Sequence, residues 1–115
     1  MSTVTIGISS LEEAMDRFET AWRTGKPQGE FLTFASMELL WKMLTPRRLG
    51  MLQAMAAKEP MSLRALSRLV GRDVKTVHGD VHALLKAGIL ERDDAGRVVF
   101  PYEAIHVDFM IRAAA

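Results

Sequence analysis

The sequence predicts an α+β fold, and three observations lead to it. Apolar residues recur three and four apart through several segments between residues 11 and 87, which is typical of amphipathic helices. Apolar and polar residues alternate at 4–8 and at 105–111, which predicts a short strand near each end. Residues 93–96, Asp-Asp-Ala-Gly, have the composition of a hairpin turn. At 115 residues the chain suits one domain, or a compact domain with an added element.

The first 44 residues predict a strand, a helix, a second strand and a short helix. Ser10 and Glu13 have the spacing of a capping box before a helix of about fourteen residues, and a loop follows at 26–29. Residues 30–35 predict a strand that pairs in parallel with the first one or is matched by a strand of a second copy. Ser36 can cap the short helix. The first helix has an apolar face made of Leu11, Ala14, Met15, Phe18, Ala21 and Trp22.

The stretch from Ser62 to Gly88 predicts two helices around a tight turn. Ser62 can cap the first helix, Gly71 can end it, and Asp73 can cap the second. This is the pattern of a helix-turn-helix. The inward residues are Leu63, Leu66, Leu69 and Val70 on the first helix and Val74, Val77, Val81, Leu84 and Leu85 on the second.

The opposite face of the second helix favours a nucleic-acid contact. Gly79 lies in the middle of it, and a glycine inside a helix costs about 1 kcal/mol relative to alanine. Close approach of another molecule to the helix backbone would explain a glycine at this position. The major groove of DNA is wide enough to admit a helix. We therefore predict a recognition helix at about 73–87; packing of Gly79 under a neighbouring helix is the alternative. The face consists of Lys75, Thr76, Gly79, His82, Ala83 and Lys86.

A helix before the pair and a hairpin after it complete the predicted fold. Thr45 and Pro46 can begin a helix that packs on the pair through Leu49, Leu52, Met55 and Ala56. Residues 89–92 and 97–100 predict two antiparallel strands, which would form a wing. The prediction is thus a winged helix-turn-helix, with three helices and a β-hairpin.

The chain accordingly divides into two predicted parts. Residues 1–44 form a β-α-β extension for dimerisation or partner binding, and residues 45–112 form the winged helix-turn-helix. The closing strand at 105–111 can pair with the N-terminal strand of its own chain or of a second subunit. No apolar run approaches the roughly 20 residues that span a bilayer, the N-terminus does not resemble a secretory signal, and cysteine is absent. These features favour a cytoplasmic protein that does not engage the membrane.

Basic residues concentrate around the helix pair. Between residues 47 and 97 there are ten basic and six acidic residues, whereas residues 1–44 hold four basic and six acidic ones. Such a distribution of charge suits contacts with DNA phosphates. Because the excess of basic over acidic residues is modest, we expect two copies to act together. The candidate DNA-binding residues are Arg47, Arg48, Arg64, Arg68, Arg72, Lys75, Thr76, His78, Gly79, His82, Lys86, Arg92 and Arg97.

Arg47 and Arg48 occupy an unfavourable position, because they lie in the first turn of a helix, whose end is already positive. A nearby anion would explain them, and a DNA phosphate is one candidate. The alternative is a pair of solvated arginines.

Three segments carry a family resemblance: LTPRRLGMLQAM, SLRALSRLVGRDVKTVHGDVHALLKAGILERDDAGRV and PYEAIHVDF. From Thr45 to about Phe109 the chain resembles the MarR-like winged-helix regulators of prokaryotes and archaea. More closely, it is similar to small DNA-binding proteins found beside toxin genes and suspected of acting as antitoxins or operon repressors. The resemblance implies a sequence-specific transcriptional regulator of double-stranded DNA, usually a homodimer, with a recognition helix from Asp73. Since no arginine lies between Val74 and Ala87, base preference does not carry over.

The sequence also bears on other classes of function. A winged helix can instead bind a protein, such as a cognate toxin, and the aromatic residues Trp22, Phe31, Phe34 and Trp41 would then form the functional surface. His78 and His82 lie one turn apart, but HGDVH lacks the glutamate of HExxH, so no metal site is predicted. No phosphate loop or nucleophile motif is present, so we predict neither an enzyme nor a cofactor.

Overall fold

The computed structural model describes residues 2–9, 11–24, 30–111 and 113. Within these ranges the fold is α+β, as predicted, with five helices and five short strands. The cap at Ser10 and the loop at 26–29 lie outside the described residues. The elements are β1 (Thr3–Ile8), α1 (Leu11–Thr24), β2 (Glu30–Phe34), α2 (Met37–Met43), α3 (Pro46–Met55), α4 (Leu63–Val70), α5 (Val74–Lys86), β3 (Glu91–Arg92), β4 (Val98–Val99) and β5 (Ala104–Asp108).

A three-stranded sheet joins the beginning and the end of the chain. Its order is β2-β1-β5, and β1 pairs in parallel with both neighbours. Ile6 lies opposite Leu32 on one side and Val107 on the other. The parallel pairing of the first two strands is therefore confirmed. The closing strand pairs within its own chain and ends at Asp108, so Ile111 lies beyond it.

The buried residues form one cluster that draws on both predicted parts of the chain. Val4 and Ile6 of β1, which are fully buried, belong to the same cluster as Leu52 of α3 and Phe100 after β4. Alternation buries one side of β1 against the helices, because successive side chains of a strand point to opposite faces. The other members are Leu40, Leu44, Met51, Met55, Leu66, Val77, Val81, Leu84, Ile89, Leu90 and Val98.

Polar caps set the starts of four helices. Ser36, Thr45, Ser62 and Asp73 each accept a hydrogen bond from the backbone nitrogen three residues later, at 2.7–3.2 Å. Each bond satisfies an amide that the helix leaves without a partner. Gly71 ends α4 with a φ of 70°, the left-handed region that favours glycine. The capping predictions at these positions are confirmed.

The hairpin after α5 is confirmed but is shorter than predicted. Strands β3 and β4 pair antiparallel over two residues each, with Arg92 opposite Val98. Met61, which precedes α4, adds a bridge on the other side of Val98, and its backbone nitrogen donates to the Val98 carbonyl at 2.9 Å. The hairpin is thereby attached to the chain that enters the helix pair. None of the helices in the described ranges has the length and apolar character needed to cross a bilayer.

Apolar residues on three helices are exposed to solvent. Leu69 of α4 and Val74 of α5, both expected inside, are 45% and 42% exposed. The buried side of α4 centres on Leu66, and Val74 is the first helical residue of α5, next to the exposed turn. The apolar face of α1 is also largely open, since Met15, Phe18 and Trp22 are more than half exposed, while Ala14 and Ala21 are partly buried.

Candidate nucleic-acid interface

Helix α5 has one side buried in the core and the opposite side open. The buried side packs in the core through Val77, Val81 and Leu84, which are at most 1% exposed. On the opposite side Lys75, Gly79, His82 and Lys86 are exposed, while Thr76 and Ala83 are partly buried. The face predicted to meet DNA is therefore not covered by the chain's own described residues.

Gly79 lies at the centre of this open face. A Cβ placed on it would have no atom within 4 Å among the described residues, apart from the helix's own nearby backbone. Packing under a neighbouring helix, the alternative explanation of this glycine, is therefore wrong for the described chain. The absence of a side chain leaves the backbone of α5 accessible to whatever approaches from outside.

The partner of Arg47 and Arg48 is Asp80 of α5. Arg47 donates through Nε and Nη2 to the two carboxylate oxygens of Asp80, both at 2.8 Å. Arg48 Nε donates to Oδ1 of the same group at 3.0 Å. The Asp80 residue is only 3% exposed, and the hydrogen bond from Arg47, reinforced by Arg48, holds its pKa below the ordinary value despite the opposing effect of burial.

These contacts fix the middle of α5 against the start of α3. Arg48 Nη1 also donates to the carbonyl of Met43 at 3.1 Å, which brings in the end of α2. The anion required by the two arginines is thus supplied by the protein, and neither is a solvated arginine without a partner. Their contact with DNA stays a prediction; Arg47 keeps 47% of its side chain exposed and Arg48 18%.

Asp80 was not among the predicted site residues, although the sequence carries a signal for it. It lies three residues after Val77 and four before Leu84, which places it on the inward stripe. A lone acidic residue on such a stripe needs a cationic partner inside the protein. The unexplained Arg47-Arg48 pair was the available partner.

His78 and His82 approach each other on the exposed side of α5. Their Nε2 atoms are 2.9 Å apart and the ring centroids 4.2 Å, which fits one imidazole donating a hydrogen bond to the other. The described residues contain no group of three or more potential metal ligands. The pair therefore offers one free ring nitrogen each, the Nδ1 atoms, to other hydrogen-bonding partners.

The hairpin turn is held by Asp93. Its carboxylate accepts hydrogen bonds from the backbone nitrogens of Ala95 at 3.0 Å and Arg97 at 2.8 Å, and from Arg97 Nε at 2.9 Å. Arg92 Nη1 donates to the Gly96 carbonyl at 3.3 Å. Both candidate arginines of the hairpin thus have contacts within the turn, and the negative charge of Asp93 is balanced by Arg97.

The other basic candidates lie on the helix pair and remain exposed. None of them forms a salt bridge with another residue in the described ranges. They stand on α4, on the turn after it and on α5, so the structure brings them to the element that carries the open face. They are Arg64, Arg68, Arg72, Lys75 and Lys86.

Comparison with known sequences gives one family. A search of the curated proteins finds no match to the chain. The model of the HVO_A0114 family matches residues 43–107, which include α3, the helix pair, the hairpin and most of β5. Because this match covers more than half of the 115 residues, the chain belongs to the HVO_A0114 family.

Proposed function

We propose that this protein is a cytoplasmic, sequence-specific DNA-binding regulator of transcription, acting as a repressor. In this proposal α3, α4, α5 and the β3–β4 hairpin form a winged helix-turn-helix within residues 45–112. Helix α5 enters the major groove. The main support for the proposal is the exposed face of α5 around Gly79, where the side chains are small. The opposite face of the same helix is buried in the core.

The dimensions of α5 suit the groove. The major groove is about 12 Å wide and accepts a helix, but close contact with the base edges requires short side chains at the point of nearest approach. Gly79 and the half-buried Ala83 supply them. Thr76 and His82 flank Gly79 one turn away and carry hydrogen-bonding groups that can reach base edges.

The charges around α5 suit the phosphates on either side of the groove. Lys75 and Lys86 lie eleven residues apart, which corresponds to roughly 16 Å along the helix axis. Both are exposed, as is Arg72 in the preceding turn. Because the basic excess is modest, specific binding by two copies suits the protein better than binding by one.

A second function has its own support, in the exposed apolar side of α1. Met15, Phe18 and Trp22 are all more than half exposed, which is typical of a surface that meets another protein. We infer from the family resemblance that a cognate toxin is one such partner. An antitoxin would bind its toxin through this surface and its operator through α5, so the two functions are compatible.

Two matched glycine variants test groove entry. Gly79 and Gly50 both lie inside helices, and a Cβ at either position would meet nothing within 4 Å. Gly79→Leu should fold and lose binding to a duplex selected from a random pool, because the new side chain keeps α5 out of the groove. Gly50→Leu, which adds the same side chain to α3, should bind that duplex as the wild type does.

Salt dependence separates DNA binding from protein binding. The affinity of the wild type for DNA should fall steeply with added salt, and Lys75→Ala should lower the slope by about 0.9, the value for one phosphate contact. A folded Gly79→Leu protein with wild-type affinity would refute the placement of α5. A wild type without measurable affinity for DNA at low salt would end the proposal.

A further inference from the structure

Two histidines of α5 direct the same ring atom toward each other. His78 and His82 lie one helical turn apart, and both are exposed. Their Nε2 atoms are 2.9 Å apart, and their ring planes are inclined at 60°. Imidazole is the commonest protein ligand of transition metals, and two histidines with this spacing on one helix face bind zinc in HExxH motifs. The pair therefore has both the ligand atoms and the spacing of a chelating site.

The residue that HGDVH lacks is not one that binds the metal. In the HExxH motif the glutamate serves as the general base of hydrolysis, and the two histidines hold the ion. Gly79 in its place removes the hydrolytic chemistry and leaves both ligands. The structure adds what the spacing alone does not give, because it brings the two Nε2 atoms together on the outside of the helix.

The distance between the two nitrogens favours one kind of coordination. Ligand nitrogens at about 2.0–2.1 Å from a metal are about 2.8–3.0 Å apart at a right angle, and about 3.3–3.4 Å apart at the tetrahedral angle. The 2.9 Å between the Nε2 atoms matches the right angle. Right angles occur in tetragonal sites, which with nitrogen and oxygen ligands are typical of Cu²⁺ and Ni²⁺. Zn²⁺, which is usually tetrahedral, fits the pair less well.

The backbone under the two histidines is fixed by its buried side. Val77 and Val81, the residues that immediately precede them, are each 1% exposed. Asp80, between them, accepts three hydrogen bonds from the two arginines of α3. A metal ion therefore has to immobilise only the two imidazole side chains. A site prepared in this way loses less conformational entropy on binding.

The surroundings of the pair supply no further ligand. Lys75 and Lys86 are the exposed charged residues of α5, and its one acidic residue, Asp80, faces inward. The part of the chain that the structure describes contains no group of three or more potential metal ligands. Water would therefore complete the coordination. The hydrogen bond between the exposed rings competes only weakly, because water replaces it at little net cost.

We propose that His78 and His82 form a two-ligand site for a divalent transition metal ion, Cu²⁺ or Ni²⁺, with water in the remaining positions. The site lies at the border of the open face of α5, to which His82 belongs. Any influence of the metal on DNA binding rests on the proposed function, in which His82 can reach base edges. Metal binding itself requires no DNA.

Titration of the untagged full chain with Ni²⁺ alone tests the site. Isothermal titration calorimetry should show one ion bound per chain. His78→Gln and His82→Gln should each raise the dissociation constant at least about tenfold, because even the loss of an outer partner weakens metal sites roughly 10–100-fold. His106→Gln, which removes the remaining one of the three histidines, should leave the constant unchanged.

An exchange of two exposed residues tests the spacing. The double variant Lys75→His with His78→Lys keeps the composition and the net charge of the chain. It places the two histidines of α5 seven residues apart, which is about 10 Å along the helix axis and too far for one ion. This variant should bind Ni²⁺ as weakly as His78→Gln. Helix content by circular dichroism accompanies each measurement.

Electron paramagnetic resonance of the Cu²⁺-loaded chain identifies the ligands. The wild type should show coupling to two imidazole nitrogens, and His78→Gln should show coupling to one. Three results would overturn the site: a wild type that binds Ni²⁺ no more tightly than His78→Gln, an exchange variant with wild-type affinity, or a Cu²⁺ spectrum without nitrogen coupling. A chain that binds metal but not DNA supports the site and refutes the proposed function. A chain that binds DNA but not metal does the reverse.

Discussion

Replacement of Asp80 by alanine should destabilise the protein more than any other single loss of charge at the candidate interface. Its carboxylate receives three charge-assisted hydrogen bonds, two from Arg47 and one from Arg48, in a site that is 3% exposed. These bonds join α3 to the middle of α5. Asp80→Ala removes all of them and leaves two arginines facing each other across a cavity.

The expected loss follows from the exposure of the two arginines. Removal of one partner from a buried ion pair costs about 3–5 kcal/mol, chiefly because the other charge stays buried. Arg47 is half exposed and regains water, and Arg48 keeps its bond to the Met43 carbonyl. We therefore expect a loss of about 2–3 kcal/mol, less than the full cost of an uncompensated charge. For a chain of this size, the thermal midpoint should fall by roughly 8–12 °C.

Urea denaturation followed by circular dichroism measures this loss. Asp80→Asn, which keeps the shape and one acceptor oxygen, should lose less than Asp80→Ala. Asp94→Asn, an exposed acidic residue of the hairpin turn, should unfold at the wild-type midpoint. A loss below about 0.5 kcal/mol for Asp80→Ala, within the range of ordinary surface changes, would refute the energetic role given to the three bonds.

The same contacts predict a dependence on pH. Hydrogen bonds from Arg47 and Arg48 lower the pKa of Asp80 in the folded protein below its ordinary value of 3.8. The ionised carboxylate therefore stabilises the fold above that pH, and the contribution is lost as the pH falls through the lower folded pKa. The stability difference between wild type and Asp80→Asn should be constant at neutral pH and shrink below about pH 4. A difference that does not change in acid would contradict this assignment.

Three further substitutions have defined outcomes in urea denaturation. Gly7→Ala should cost about 1–3 kcal/mol, because its Cβ would lie 2.7 Å from the backbone oxygen of Asp108 and push β1 from β5; a wild-type midpoint would contradict that contact. Val81→Asp should abolish cooperative unfolding, since it places an unpaired charge at a site that is 1% exposed. Ser62→Ala should cost about 1 kcal/mol, because it removes the hydroxyl that accepts a hydrogen bond from the Ala65 backbone nitrogen at 3.1 Å. An equal loss in Ser2→Ala, which lies outside any helix, would contradict the capping role of Ser62.

Local signals explain which parts of the fold could be predicted from the sequence. A cap such as Ser62 or Asp73 acts on amides within its own turn, so neighbouring residues are enough to identify it. Strand alternation is equally local. The pairing of β5 with β1 was left open between the same chain and a second copy, because alternation sets which face is buried but not which strand lies alongside.

Periodicity alone does not specify whether an apolar helix face is buried or exposed. The spacing of Phe18 and Trp22 predicts an amphipathic helix, and α1 is one. The side of α1 that faces the sheet carries Arg17, which contacts Ser9 and Phe31. Periodicity therefore identified the apolar face of α1 but not its exposure to solvent.

The sequence was enough to predict the open face of α5, but not the hydrogen-bond network that joins α5 to α3. The open side of α5 follows from the positions of its valines and leucines, which fix the opposite side by helical geometry. The Arg47–Asp80–Arg48 cluster joins residues more than thirty positions apart. Such a contact depends on the crossing of α3 and α5, which no local pattern specifies.

The central position of β1 has a consequence for synthesis on the ribosome. This strand is synthesised well before one of its two neighbours, β5, because about a hundred residues separate them in the sequence. Until residues 104–108 leave the exit tunnel, the edge of β1 that pairs with β5 lacks that partner strand. A nascent chain stalled before that point would expose an unpaired strand edge to chaperones and proteases.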